Sequence, residues 1–176
     1  MNASGHAMNP KHVGAPLVLA LLVIGCDAEI GPLNSPSGIS GVIRFSHWPG
    51  PDSLRDLRLV AFESYPSDSA SILPTLLAGH AAVYPALGQK FPTFIDSLSY
   101  EFTTTNGTNL QVRNYDYIII AQQFGPSILT DWRPVGVYST TPQSFSPAPV
   151  RVVLHHVTGH IDIQVDFANP PPKPWR

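Results

Sequence analysis

The chain has 176 residues, with ten Lys+Arg against twelve Asp+Glu and only 12% charged residues, about half the usual share. That balance offers no basic patch and excludes nucleic-acid binding as the expected role. Nineteen prolines and thirteen glycines beside many β-branched and aromatic residues point to an all-β domain with long loops rather than a disordered chain.

The N-terminus comes first. Lys11 and His12 form a thin basic region, and Val13–Ile24 is an apolar run broken only by Gly14 and Pro16. Twelve residues suit the apolar core of a signal peptide and fall short of the ~20 a spanning helix needs. Met8 is an alternative start to Met1. The run ends in Val23-Ile24-Gly25-Cys26, and Cys26 is the only cysteine. These four residues resemble a bacterial lipobox, with Val23 and Ile24 in place of the commoner Leu and Ala or Ser. The resemblance implies cleavage between Gly25 and Cys26 and a diacylglycerol on the Cys26 sulfur. It places the protein in the bacterial envelope, lipid-anchored and facing the periplasm or the cell surface. Each buried methylene contributes about 0.8 kcal/mol, so two or three acyl chains anchor stably where one does not. The alternative is an incidental cysteine beside a plain signal peptide.

Removing residues 1–25, whose only Lys or Arg is Lys11, leaves one domain's length and nine Lys+Arg against the same twelve acids. Residues 26–37, with Gly31-Pro32 and Ser35-Pro36, read as a flexible tether. The domain is expected over 38–168. Gly38–Ser46 alternates, with Ile39, Ile43 and Phe45 on one face and Ser40, Arg44 and Ser46 on the other. His47–Asp52 is a turn-rich loop. Leu57–Tyr65 is a second, more central strand. Residues 70–91 are a short helix or an irregular excursion, with Pro74 suited to a first helical turn. Ile95–Thr104 alternates again, and Asn106-Gly107 is a hairpin signal. Tyr115–Phe124 is apolar on both faces and is placed centrally. Val135–Ser139 and Val150–Leu154 are short strands. In His160–Phe167, Ile161, Ile163, Val165 and Phe167 point inward while His160, Asp162, Gln164 and Asp166 point outward. Residues 169–176 form a Pro-rich, polyproline-like tail.

About seven strands at this spacing predict a single antiparallel β-sandwich, transthyretin- or immunoglobulin-like. Gly41-Val42-Ile43, Leu59-Val60-Ala61-Phe62, Ser99-Tyr100-Glu101-Phe102 and Tyr117–Ala121 follow one another in an order similar to transthyretin-like, carboxypeptidase-regulatory-like domains. Phe94-Ile95-Asp96-Ser97 stands where that family has an Asp-rich, Gly-containing turn, and the insertion at 66–94 is long. The resemblance implies a non-catalytic module and no particular site.

Two sets of side chains are candidate sites. Trp48 and Trp132 lie in loops; they either stack on a sugar or a partner, or fold over the end of the core as plugs. His155, His160 and Asp162, in a segment reaching Asp166, carry donor types that suit zinc or copper. Adjacent histidines in a strand point to opposite faces, however, and the plainer reading is a solvated polar face. No Gly-x-Ser-x-Gly elbow and no Gly-rich phosphate loop occurs. The expectation is therefore a non-enzyme without cofactor: a lipid-anchored accessory or protein-interaction module, with an envelope carbohydrate- or metal-binding protein as the alternative. Its expected partners are the membrane, through the N-terminal lipid, and an envelope protein or glycan.

Overall fold

The computed structural model describes Met1 and residues 35–141 and 144–174. The signal segment, Gly25, Cys26 and Trp175 lie outside the described residues.

The regular structure of the described residues is mostly strand, with almost no helix, so the all-β expectation holds. The described residues form ten strands: β1 (Gly38–Ser46), β2 (Asp56–Phe62), β3 (Ala81–Tyr84), β4 (Ser97–Thr103), β5 (Asn114–Tyr115), β6 (Tyr117–Gln123), β7 (Trp132–Tyr138), β8 (Val150–Arg151), β9 (Val157–Thr158) and β10 (Ile163–Asp166). The excursion over 70–91 contributes one short helix, α1 (Ile72–Leu77), and then β3. No helix of the described residues is long and apolar enough to cross a membrane.

The purely antiparallel sandwich of about seven strands is corrected. One mixed sheet runs β3-β2-β6-β7-β10-β1-β4, with β9 added beside β1, and β5 pairs with β8 separately. The first long strand and the last lie side by side and parallel, Ile43 opposite Ile163 and Phe45 opposite Val165. Alternation of side chains is the same in parallel and antiparallel strands, so it could not disclose this pairing. The approach of β1 to β10 explains Gly41. A Cβ there would run into the Ile161 carbonyl, which only glycine avoids.

The sheet curls until its edge strands meet. The Tyr84 ring of β3 lies 5.5 Å from Phe102 and 6.3 Å from Tyr100, both on β4. Beyond β4, Val83 and Thr108 exchange two backbone hydrogen bonds of 2.9 Å. This also corrects the hairpin expected at Asn106-Gly107. The Asn106 side chain accepts from the Thr103 amide at 2.8 Å, and Gly107 N–H donates to the Thr103 carbonyl. The chain therefore curls over and crosses to β3, while β4 takes β1 as its partner.

Inside the curl lies the main core. Ile39, Ile43 and Phe45 of β1 pack with Leu57, Leu59, Ile118, Ile120, Phe102, Ile163 and Val165. A second cluster of Phe62, Tyr117, Ile119 and Val137 takes Ile72 and Leu76 of α1, together with Trp132, as its cover. With apolar packing on both faces, β6 is buried along its whole length.

Strand directions define two ends. β1 starts at one end, with Ser35–Ser37 leading in. There the Ser37 carbonyl accepts from Thr104 N–H and Gly38 N–H donates to the His156 carbonyl. At the other end β1, β6 and β10 finish and β7 begins.

Candidate functional site

Three adjacent strands build a concavity among the described residues. Arg44 of β1 stands opposite Gln164 of β10, and Gln164 stands opposite Val137 of β7. Asp162 and Asp166 flank Gln164 two residues away on the same strand face, some ~6.6–6.8 Å from it in an extended strand. Ser139, Thr140 and Thr141 after β7, with Ser144 and Phe145, supply one wall; Asn169 closes the other side. The result is an open cleft of about 290 Å³.

The charged groups in the cleft are already engaged. Asp162 accepts from the Val42 amide at 2.9 Å through Oδ1, and its Oδ2 lies 3.5 Å from Arg44 Nη1. The carboxylate thus ties the chain entering β10 to β1 and pairs with the guanidinium. Asp166 accepts a 2.8 Å hydrogen bond from the His47 ring and a 3.0 Å bond from Ala168 N–H. The His47 hydrogen bond is the main cause that lowers its pKa below the ordinary carboxylate value. Behind the cleft, the Tyr100 hydroxyl donates to the Ile161 carbonyl at 2.7 Å. Burial first, and the Asp162 charge second, push that phenol's pKa up.

The serines are turn formers here. Ser139 Oγ accepts from Thr141 N–H at 3.2 Å, and Ser144 Oγ from Ser146 N–H at 3.0 Å. Both hydroxyls accept from backbone amides in these contacts, and the cleft presents a hydrogen-bonding surface. It offers a guanidinium, two carboxylates, two amides, several hydroxyls and the exposed Phe145 ring.

The two tryptophans do not meet. Trp48 packs on the main core, its ring 4.7 Å from Phe167, 4.8 Å from Phe45 and 5.3 Å from Phe94. Its Nε1–H donates to the Ile95 carbonyl at 2.9 Å. Trp132 packs on the second cluster instead, with Nε1–H donating to the Ile128 carbonyl at 2.9 Å. Both are half-buried caps with satisfied N–H groups, and they share no stacking platform.

The histidines do not converge either. His155, exposed and at positive φ, donates its backbone N–H to Ser37 Oγ at 2.8 Å and turns its ring toward the Ser35 carbonyl. His160, also exposed and at positive φ, follows the Val157–Thr158 strand, while Asp162 serves β1. Among the described residues, no three His, Cys, Asp or Glu side chains are grouped to hold a metal.

The alternation of β10 put Asp162, Gln164 and Asp166 outward, and that of β1 did the same for Arg44. The cleft itself was not legible, because strand order decides which outward residues become neighbours. No family model matches the chain, and no curated protein or solved structure is significantly similar to it.

Proposed function

We propose that the chain is a lipid-anchored protein of the bacterial envelope whose curled β domain serves as a non-catalytic accessory or interaction module. The observation that carries this reading is the sequence Val23-Ile24-Gly25-Cys26 at the end of an apolar run, with a Pro/Ser-containing segment between it and the domain. The domain is taken as a relative of the transthyretin-like sandwiches. In support, the four motif segments occupy β1, β2, β4 and β6. The test is the full chain expressed in a bacterium with lipoprotein-processing enzymes. Acylation of the N-terminal peptide at Cys26 by mass spectrometry, lost in Cys26→Ala together with membrane retention, is the expected result. Unchanged mass and fractionation in Cys26→Ala would overturn the reading.

A second reading is favoured by the cleft. Amides, hydroxyls, carboxylates and a guanidinium beside an exposed Phe145 ring fit a polyhydroxylated ligand such as an envelope glycan. In that case the tryptophans serve the core rather than the ligand. Calorimetric titration with cell-wall oligosaccharides tests it. Binding that weakens at least tenfold in Gln164→Ala supports it, and flat titrations sink it.

A further inference from the structure

The Val153–His156 turn combines two features that the cleft does not use. It is apolar at its tip, and the incoming chain is tied to it. Val153 and Leu154 are exposed to 42% and 61%, next to Val152, which is fully buried. The turn closes through His156 N–H donating to the Val153 carbonyl, with His155 at a φ of 55°. On the preceding side, Asn114 pairs with Arg151 and Val152 N–H donates to the Arg113 carbonyl. Continued two residues past the Asn114–Arg151 pair, that register would bring Val112, 47% exposed, opposite Val153.

The two segments that form this patch carry no carboxylate. Leu110–Asn114 and Ala148–Ile161 contain no Asp or Glu, but they contain Arg113, Arg151, His155, His156 and His160. The carboxylate of Glu63 nearby is occupied by Arg113 and His80. An exposed aliphatic tip beside Arg151 and three histidines, with no carboxylate of its own, complements an anionic bilayer surface, where aliphatic groups enter the headgroup boundary and cations meet lipid phosphates.

The position of the incoming chain selects that occupant. Ser35 and Ser37 are hydrogen-bonded to His155, and Gly38 to His156. Cys26 stands nine residues before Ser35 in the sequence. Even a fully extended chain of that length spans no more than ~30–32 Å. An anchor at Cys26 therefore keeps this turn within a few nanometres of the lipid. The exposed Ile128 and Leu129 in the β6–β7 loop lie at the opposite end of the sheet and lack that constraint.

We propose that the Val153-Leu154 turn, with Val112 beside it, is a membrane-seating surface that rests on anionic lipid next to the anchor. This rests on the lipid-anchor reading above. The test uses the full, processed chain reconstituted into vesicles of phosphatidylethanolamine and phosphatidylglycerol. Leu154→Cys and Leu129→Cys each carry an environment-sensitive fluorophore, and lipid-borne nitroxides are the quenchers. Both positions are exposed, and circular dichroism verifies the fold. The expected result is quenching at position 154 at least threefold greater than at 129, decreasing when phosphatidylglycerol is omitted. Equal quenching at the two positions, with Cys26 acylated, would overturn the seating surface and leave the anchor intact. An unmodified Cys26 by mass spectrometry would overturn the anchor. In that case, absence of vesicle binding by the full chain would overturn the seating surface as well.

Discussion

Trp48→Ala separates a core plug from a ligand platform. In the structure the indole caps the far end of the main core between Phe45, Phe94 and Phe167, with its N–H donated to the Ile95 carbonyl. Truncating a fully buried Trp costs ~3–5 kcal/mol. This ring is half-buried, so the packing loss is set lower, at ~1.5–2.5 kcal/mol. Losing the partner of the Ile95 carbonyl adds roughly 0.5–1 kcal/mol, since water reaches this rim. The sum is about 2–3.5 kcal/mol. For a domain with a urea m-value near ~2 kcal/mol/M, the midpoint falls by ~1–1.75 M. Urea unfolding followed by far-ultraviolet circular dichroism measures this without relying on the tryptophan that has been removed. Trp48→Phe keeps one aromatic ring in place but loses the hydrogen bond and part of the packing, so its midpoint falls by clearly less than that of Trp48→Ala. A Trp48→Ala protein within ~0.5 kcal/mol of the parent would refute the plug and return Trp48 to the ligand candidates.

Gly41→Ala drives a Cβ into the Ile161 carbonyl and pushes β1 from β10; a loss of ~2–3 kcal/mol is expected. Faster hydrogen exchange at the Ile161 amide, which donates to Ser40, would locate the damage. At the other end of the sheet Arg58 is nearly buried and pairs with Asp56 at 2.8 Å, while also donating to the Pro85 carbonyl. Asp56→Ala leaves that cation short of its partner, so a loss approaching ~3 kcal/mol is expected, readable by the same urea unfolding. The Asp166 carboxyl has its folded pKa lowered by the His47 hydrogen bond. Its contribution is complete above the ordinary aspartate value of ~3.9 and is lost as pH falls through the lowered folded value. Titration of the Asp166 carboxyl by nuclear magnetic resonance should show its pKa rising in His47→Ala; an unmoved value would remove His47 as the cause.

The alternation of Ile161, Ile163, Val165 and Phe167 identified the inner face of the last strand, and all four are buried. The apolar run Tyr117–Ala121 likewise identified a strand buried on both faces. Pairing was the illegible part. Nothing in Ile43 or Ile163 announces that their strands are parallel neighbours, because direction is set by where the connections run. β3 escaped notice because Ala81-Ala82-Val83-Tyr84 is short and half alanine, a residue with little strand preference. It is a strand because β2 offers it a ladder and Tyr84 meets Phe102. Asn106-Gly107 misled for a related reason. The dipeptide specifies a tight reversal, but the Asn106 side chain caps the Thr103 amide and the outgoing chain finds Val83 before it can find β4. The tryptophans were legible as a pair of alternatives, and only their different neighbours separate them.

One strand joins the two surfaces on which the functional readings rest. β1 begins at Gly38, bonded to His156 beside the exposed turn, and carries Arg44 six residues later on the cleft face. Six residues of strand span ~20 Å. β10 and β4 pair along β1 on either side, so that separation is fixed by ladders rather than by a hinge. On the proposed anchoring, the cleft is then held ~20 Å from the seating turn, beyond the headgroup layer to which Leu154 belongs. The chemistry of its lining agrees: amides and hydroxyls recognise polar, soluble groups, while the aliphatic tip is confined to the turn. On the two proposed readings, anchoring and recognition fall on opposite ends of the same strand, and a substitution at Leu154 should leave the cleft's binding unchanged while Gln164→Ala should leave seating unchanged.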